Sequence, residues 1–177
     1  MKVLITGANG FIGKNLQVRL KEEGISFITH TKENTQKDLI DSLSFVDFVV
    51  HLAGINRPKD EKEFKAGNSD LTELIAKSLQ EFGNTAPVLY SSSIQVEQSN
   101  PYGMSKLKAE NALRTLQKSG GNTIYNYRLP NVFGKWSRPN YNSVVSTFCY
   151  NILNNISIQE RMKATKWPVT LMQLQKA

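Results

Sequence analysis

The sequence contains very little cysteine, and this scarcity narrows the classes of protein that it can encode. Cys149 is the single cysteine among 177 residues, so no disulfide can form within the chain. Zinc sites built from several cysteines are excluded as well, and we expect no metal site. A chain without disulfides fits a reducing compartment. We therefore expect a cytoplasmic protein.

Long apolar runs are also missing. Stretches such as residues 48–50 are far shorter than the roughly 20 residues of a membrane-spanning helix. The apolar opening of the chain reaches glycine at Gly7, which is too soon for the apolar segment of a secretion signal. We expect no membrane association, and we assign the opening residues to the fold.

Positive charge is in excess, but it is not arranged to bind nucleic acid. The formal net charge is +7. In the body of the chain, basic residues alternate with acidic ones, as in residues 59–63, which is typical of a solvated helix face. A phosphate-binding stripe would need the basic residues to cluster. We therefore expect no nucleic-acid partner.

Short β-branched runs alternate with longer segments of helical periodicity, and no internal repeat interrupts them. This alternation is typical of an α/β protein. The runs are apolar nearly throughout, as parallel strands covered on both faces must be. We predict a doubly wound parallel sheet, a Rossmann fold, with its ligand crevice at the carboxyl ends of the strands. The predicted strands are residues 2–6, 26–31, 47–52, 88–92 and 123–129.

A glycine-rich loop follows the first predicted strand directly. Its glycines recur every three residues, and a helix begins within the loop. Glycine lets the backbone lie against a pyrophosphate, and a helix N-terminus offers free N–H groups. At the first strand-to-helix junction this pattern favours dinucleotide binding over a purely structural turn. The residues predicted to bind are Gly7, Asn9, Gly10, Phe11, Ile12, Gly13 and Lys14.

The end of the second strand bears on which dinucleotide is bound. An acidic residue there would accept a hydrogen bond from the ribose 2′-hydroxyl of NAD. Here the strand ends in Thr31 and Lys32, with no carboxylate before Glu33. Lys32, together with His30 and Lys14, offers positive charge to a 2′-phosphate instead. The pattern favours NADP over NAD, although lysines that are merely exposed would look the same.

Serines end the fourth predicted strand, and the next helix begins with a tyrosine and a lysine four residues apart. Tyr102 and Lys106 are therefore neighbours on one helix face. A phenol with a pKa of about 10 needs a nearby positive charge to exchange protons near neutral pH. Lys106 can supply that charge, and Ser93 can hydrogen-bond the same substrate oxygen. We predict Ser93, Tyr102 and Lys106 as catalytic residues.

Together these motifs resemble the extended short-chain dehydrogenase/reductase family of nucleotide-sugar enzymes, and they occur in that family's order. The resemblance covers about residues 1–158 and also includes Asn68 and the segments 51–54, 91–93 and 128–134. Within the family, segments 91–95, 100–103 and 133–144 resemble reductases of capsular polysaccharide synthesis. Those enzymes act on a UDP-4-keto-6-deoxy-N-acetylhexosamine, and a cupin epimerase domain follows their reductase domain.

The resemblance implies a role for each matching residue. Tyr102 would be the acid/base, Lys106 would bind the nicotinamide ribose and tune Tyr102, and Ser93 would position the sugar oxygen. Asn68 would support the lysine through water. The resemblance also places Leu52, Ala53 and Gly54 beside the cofactor, Arg128, Leu129 and Pro130 near the nicotinamide, and Asn131 at the sugar nucleotide.

Two of the matching residues have an alternative structural explanation, and one further position departs from the family's pattern. His51 and Arg128 are equally well explained as a packed and a salt-bridged structural residue. Thr31 stands where the resembling reductases would have an arginine, which weakens the prediction of NADP.

The last stretch, residues 159–177, leaves the pattern. It contains Pro168 and no clear strand or capping signal, and it matches neither the family's sugar-binding lobe nor a cupin. We interpret residues 1–158 as an NAD(P)-binding Rossmann domain and residues 159–177 as a divergent, weakly ordered tail. We expect a truncated protein in which the substrate lobe is largely missing.

The function expected from the resemblance is NADP-dependent reduction of a UDP-4-keto-6-deoxy-N-acetylhexosamine in capsule or surface-polysaccharide synthesis. Two alternatives stay open: a nucleotide-sugar 4-epimerase with bound NAD, and a non-catalytic dinucleotide-binding remnant or interaction module. The expected partner is a UDP-sugar. Such reductases often pair through the helix that bears Tyr102 and Lys106, so a homodimer is also among the expectations.

Overall fold

The computed structural model describes residues 1–158 and the backbone of residues 169–170. The chain divides into two compact units, Met1–Arg128 and Leu129–Ala177. The stretch 159–177, for which we predict weak order, lies outside the described residues except for that short backbone segment. The predicted domain division at residue 158 therefore stays a prediction.

One five-stranded sheet organises the first unit. Its strands are β1 (Lys2–Thr6), β2 (Ser26–His30), β3 (Phe48–His51), β4 (Val88–Ser93) and β5 (Ile124–Leu129). They lie side by side in the order β2-β1-β3-β4-β5. β1 pairs in parallel with β2 and β3, and β3 pairs in parallel with β4. The predicted strands are confirmed, each to within one residue at its ends.

Helices connect the strands and cover both faces of the sheet. They are α1 (Phe11–Glu22), α2 (Gln36–Leu43), α3 (Lys62–Phe64), α4 (Leu71–Glu81) and α5 (Pro101–Gly120). A π-helical turn, Lys65–Asp70, joins α3 to α4, and a 3-10 helix, Ile94–Glu97, follows β4. The doubly wound fold expected from the sequence is therefore confirmed.

The core has two layers because successive side chains of a strand point to opposite faces. On one face, helices α2, α4 and α5 pack on the sheet through the buried residues Leu4, Leu39, Val49, Ile75 and Leu113. The opposite face packs against α1 through Val3, Ile5, Val50, Leu16 and Leu20. Both layers hold the carboxyl end of β1 in a fixed position, from which the glycine loop departs.

β5 departs from the expectation that every strand is covered on both faces. It is the last strand in the sheet order, and Tyr125 and Tyr127 are 46% and 37% exposed. The ring of Tyr125 stacks on Phe48 at 6.4 Å between centroids. Aromatic side chains suit a half-buried pleated surface, so the apolar appearance of this run reflects strand propensity and not complete burial.

The second unit contains little regular structure among its described residues. It holds β6 (Val132–Phe133), α6 (Val144–Leu153) and β7 (Val169–Thr170), and β6 pairs in parallel with β7. Ser143 caps α6 by accepting a hydrogen bond from the N–H of Ser146 at 3.1 Å. In the described part of the chain, every helix is too short or too polar to cross a membrane.

Candidate active site

The glycine turn after β1 is pressed against the end of β3. Gly7 has a φ of +69°, and a Cβ atom at this position would lie 2.6 Å from the backbone nitrogen of Ala53. Its N–H donates to the carbonyl of His30 at 3.0 Å. Only glycine combines this backbone conformation with such a close approach. The turn therefore ties three neighbouring strands together at their carboxyl ends.

Backbone hydrogen bonds connect the glycine turn with the start of α1. Gly10 is the N-cap residue, and no side chain caps the helix. Gly10 itself donates to the carbonyl of Gly7 at 2.9 Å, and Lys14 donates to Gly10 at 2.9 Å. Phe11, Ile12 and Gly13 begin the helix. N–H groups at such a helix start are the groups that bind a pyrophosphate.

A cleft of about 840 Å³ opens beside the glycine turn. It is lined by eight of the residues predicted to bind the cofactor, namely Gly7, Asn9, Gly10, His30, Lys32, Leu52, Ala53 and Gly54. The residues Phe11, Ile12, Gly13, Lys14, Asn68, Tyr102 and Lys106 are not among those that line it. The uncapped helix start and the close-packed glycine turn fit the pyrophosphate of an NAD(P) dinucleotide.

The loop after β2 also lines the cleft. Asn34 accepts hydrogen bonds from the N–H and the hydroxyl of Thr31, at 2.8 and 3.1 Å. Burial lowers the pKa of His30, and the nearby Asp38 opposes this effect. His30 is therefore mainly uncharged at neutral pH, which leaves Lys32 as the basic residue that lines this part of the cleft. The sequence analysis missed Asn34, whose spacing of three residues from Thr31 is a signal for such a turn.

The side chain of Tyr102, in the first turn of α5, lies near the Ser93 hydroxyl at the carboxyl end of β4. Burial raises the pKa of Tyr102, and the interaction with Ser93 partly offsets that rise. The phenol is therefore protonated at neutral pH and able to donate. The expected lowering of its pKa by Lys106 is absent, because burial dominates and Ser93 is the group that opposes it.

The start of α5 is held tightly against the 3-10 helix after β4. Asn100 caps α5 by accepting a hydrogen bond from the N–H of Gly103 at 2.7 Å, and Pro101 occupies the first helical turn. A Cβ atom on Gly103 would overlap the carbonyl oxygen of Gln95. This absence of a side chain lets the turn that carries Tyr102 reach Ser93.

Lys106 is buried one helical turn further on. Its ammonium donates to the carbonyl of Ser91 at 2.9 Å and lies 4.8 Å from the ring centre of Tyr90. Burial lowers the pKa of Lys106 to about 8, while the charge of Glu110 raises it. A Cβ atom on Gly54 would be 3.0 Å from this ammonium nitrogen. Gly54 lines the cleft, so the ammonium lies directly behind one of the lining residues.

Asn68 joins the loop after β3 to α5. It accepts from the N–H of Ile55 at 2.8 Å and donates to the carbonyl of Ile55 at 3.0 Å and to the hydroxyl of Ser105 at 2.8 Å. It lies in the π-helical turn, whose extra residue per turn sets its direction. The structure thus gives Asn68 direct contacts, and the expected support of Lys106 through water stays a prediction.

The structure favours the structural interpretation of His51 and Arg128. His51 is buried between the hydroxyls of Thr6 and Thr72, at 2.6 and 2.8 Å, and burial lowers its pKa to about 3. Arg128 binds both carboxylate oxygens of Glu110, at 3.0 and 2.8 Å. The sequence analysis missed Glu110, although its position four residues after Lys106 is a visible signal.

The predicted residues Leu129, Pro130 and Asn131 belong to the second unit. They lie at the end of β5 and immediately before β6, in its first residues. Their assignments to the nicotinamide and to the sugar nucleotide stay predictions.

A parallel doubly wound sheet with an uncapped glycine turn and a Ser-Tyr-Lys cluster at its carboxyl edge defines a nicotinamide-dinucleotide-binding protein. The model of the NAD dependent epimerase/dehydratase family matches residues 3–171. The chain belongs to this family, which binds NAD(P), and the cleft described above fits that group.

Relatives with closer similarity come from Pseudomonas aeruginosa and Staphylococcus aureus. A UDP-2-acetamido-2,6-beta-L-arabino-hexul-4-ose reductase of Pseudomonas aeruginosa is 52% identical over 160 residues, which are 90% of this chain and 43% of that protein. The capsular polysaccharide assembling protein CapF of Staphylococcus aureus has a TM-score of 0.85 and 41% identity, covering 98% of this chain and 48% of that one. The chain thus spans just under half of each.

More distant structures share the fold. A UDP-glucuronic acid 4-epimerase of Bacillus cereus, solved in complex with NAD, has a TM-score of 0.75 at 21% identity. The alignment covers 88% of this chain and 65% of the epimerase.

Proposed function

We propose that this chain forms the reductase domain of an enzyme that reduces the C4 ketone of a UDP-4-keto-6-deoxy-N-acetylhexosamine, with NADPH as the reductant, in capsule or surface-polysaccharide synthesis. The reductase of Pseudomonas aeruginosa supports this substrate class by its 52% identity. The observation that carries the proposal is the placement of the Tyr102 phenol near Ser93, with the buried Lys106 one turn along the same helix.

Each of the three side chains has a part in the reduction. When bound, the nicotinamide supplies a hydride to the C4 carbon, and the carbonyl oxygen gains negative charge. Ser93 donates a hydrogen bond to that oxygen and stabilises the developing charge. Tyr102, which is protonated at neutral pH, transfers its phenolic proton to the same oxygen to complete the alcohol. Lys106 would hold the ribose of the nicotinamide through its ammonium group.

We also propose that the cofactor is NADP, whose 2′-phosphate would lie near the end of β2. Lys32 and His30 line the cleft at the end of β2, and the positive charge of Lys32 supports NADP over NAD. Because burial lowers the pKa of His30, Lys32 carries this preference at neutral pH. Lys32→Ala is expected to weaken NADPH binding about tenfold while leaving NADH binding unchanged, since one charged hydrogen bond is worth about 1.5 kcal/mol. Equal losses for both cofactors would contradict this assignment.

We also propose a cytoplasmic homodimer. The helix α5 exposes the side chains of Met104 and Leu107, which are 54% and 38% accessible and lie close to Tyr102 and Lys106 in sequence. These exposed apolar side chains support pairing through α5. Sedimentation of the purified chain with and without Met104→Glu tests the pairing, and a monomer in both cases would refute it.

The decisive experiment replaces the phenol. Tyr102→Phe is expected to abolish reductase turnover with a UDP-4-keto sugar and to leave NADPH affinity nearly unchanged, because the hydroxyl acts mainly on the charge formed during reduction. Tyr127→Phe, which removes a partly exposed phenol elsewhere, is the matched control and is expected to keep full turnover. Undiminished activity of Tyr102→Phe would remove the residue from the mechanism.

Two other outcomes would favour the alternative functions. Interconversion of 4-epimers without net oxidation of NADPH would favour an epimerase with bound NAD. Binding of NADPH without any turnover by the wild-type chain would favour a non-catalytic dinucleotide-binding module.

A further inference from the structure

A carboxylate lies beneath the Ser-Tyr-Lys cluster and takes no part in the chemistry described so far. Glu110 is 1% exposed and sits on α5, four residues after Lys106. It accepts a hydrogen bond from the hydroxyl of Ser92 at 2.6 Å and two from Arg128 at 3.0 and 2.8 Å. These bonds connect α5 with β4 and β5.

The bond to Ser92 fixes the strand end that carries the candidate catalytic serine. Ser92 is directly followed by Ser93, and Ser91 accepts the hydrogen bond from Lys106. Two consecutive residues of β4 are therefore held by α5, Ser91 through Lys106 and Ser92 through Glu110. A strand end held at these two points has little freedom to move the adjacent Ser93 away from the phenol.

Glu110 also supplies the negative charge that acts on Lys106. Burial by itself would raise the pKa of Glu110, but the hydrogen bonds from Arg128 and Ser92 lower it below its ordinary value. The carboxylate is therefore ionised at neutral pH. Residues four apart on a helix are neighbours, and the charge of Glu110 raises the pKa of Lys106 against the effect of burial.

The other groups that face Lys106 are uncharged at neutral pH. His51 of β3 has its pKa lowered to about 3 by burial, and the pKa of Tyr90 of β4 is raised by burial. Tyr102 is likewise protonated. Asn68, from the π-helical turn, approaches the same point beside Gly54 but has no charge. Glu110 is thus the anion that acts on the ammonium.

We propose that Glu110 is a positioning residue of the reductase site, which anchors the strand end bearing Ser93 and balances the ammonium of Lys106 from beneath. Its importance for turnover rests on the proposed function. Its effect on Lys106 does not, because the ammonium and the carboxylate belong to the same helix.

The test reads the lysine directly. The chain is labelled with 13C at the lysine Cε atoms, and the signal of Lys106, assigned by its loss in Lys106→Met, is followed against pH. In Glu110→Gln the midpoint of this titration is expected to fall by about one pH unit, since a nearby opposite charge is lost. Ser92→Ala, which removes one hydrogen bond but keeps the charge, is expected to leave the midpoint within a few tenths of the wild-type value.

An unchanged midpoint in Glu110→Gln would overturn the proposal. If that variant does not fold, the double variant Glu110→Gln/Arg128→Gln removes the ion pair without leaving an unpaired partner, and its Lys106 midpoint is still expected to fall. No shift there would overturn the proposal equally. A wild-type chain without turnover would contradict only the proposed function. The lysine titration tests the role of Glu110 independently of turnover. If turnover is present, the alkaline limb of its pH profile is expected to move with the lysine midpoint.

Discussion

The two halves of the site differ in which part of the chain forms them, the backbone in one half and the side chains in the other. The cofactor cleft at β1, β2 and β3 is formed mainly by backbone, with Gly7 against Ala53 and an uncapped helix start. The cluster at β4 and α5 is formed by buried polar side chains, with Lys106, Asn68 and Glu110 all nearly inaccessible. The first half depends on the absence of side chains, and the second depends on their mutual hydrogen bonds.

This difference determines which kinds of substitution each half of the site tolerates. A backbone cleft fails when an added atom collides with it, and neighbouring residues have little room to adjust. A polar network fails when one partner is removed, because the remaining groups are buried without hydrogen bonds. Substitutions that add atoms should therefore be most harmful in the glycine turn, and substitutions that remove atoms should be most harmful around α5.

The largest effect is expected at the glycine turn. Gly7→Ala places a methyl group 2.6 Å from the Ala53 nitrogen in a backbone conformation that alanine disfavours, so it should lower the free energy of unfolding by about 4 kcal/mol. Gly24→Ala is the matched control, because Gly24 has a φ of +66° with open space around it, and it should cost about 1 kcal/mol. Urea denaturation measures both. Similar costs would show that strain, and not collision, dominates.

The second effect concerns the polar network. Asn68→Ala removes three hydrogen bonds to Ile55 and Ser105, and it should lower the free energy of unfolding by about 3 kcal/mol. Amide exchange at Ile55 should accelerate in the same variant. Asn34→Ala in the exposed loop after β2 is the control and should cost under about 1 kcal/mol. If the two variants cost the same, burial does not distinguish the halves as argued.

A pH effect is expected at the junction of the two halves. His51 has a pKa of about 3 in the folded protein, whereas an unfolded histidine titrates near 6.5. Between these values the unfolded state binds a proton that the folded state does not, so stability is lost as pH falls. From pH 6 to pH 4.5 the loss should reach about 2 kcal/mol.

Urea denaturation at both pH values measures this loss. His51→Gln keeps hydrogen-bonding groups but does not titrate. Its free energy of unfolding should therefore lack this loss of about 2 kcal/mol between the two pH values. Identical pH dependence in both proteins would contradict the assignment of a neutral, buried imidazole.

The smallest effect is expected at the N-terminal cap of α2, whose residue Thr35 is not among those that line the cleft. Thr35 caps α2 in a reciprocal pair with Asp38, at 3.2 and 2.8 Å. Thr35→Ala should lower the free energy of unfolding by about 1 kcal/mol and leave NADPH affinity unchanged. Thr115→Ala, within the exposed part of α5, should be nearly neutral. A loss of NADPH affinity in Thr35→Ala would extend the cofactor cleft to this cap.

The position of the backbone half of the site was predictable from sequence, although only some of the predicted residues line the cleft. Glycine spacing is local, and the turn from β1 into α1 involves neighbours along the chain. Eight predicted residues accordingly line the cleft. Apolar runs bounded by turns likewise located the five strands, because each strand must bury its side chains wherever it lies in the sheet.

The side-chain half was only partly predictable. The spacing of Tyr102 and Lys106 is local, and it predicts that the two side chains share one face of α5. The bonds from Asn68 to Ser105 and from Arg128 to Glu110 join residues 37 and 18 positions apart, which no periodicity reveals. The pKa of Tyr102 was expected to fall, but its burial depends on how the loop and helix pack together in space.

Gly103 limits how this site can change through mutation. Because any side chain at this position would collide with the Gln95 carbonyl, a lineage that kept its tyrosine in place would have to retain the adjacent glycine too. Tyr102 and Gly103 are therefore constrained together. A designer who transfers the tyrosine to another helix packed in the same way must transfer the glycine that follows it as well.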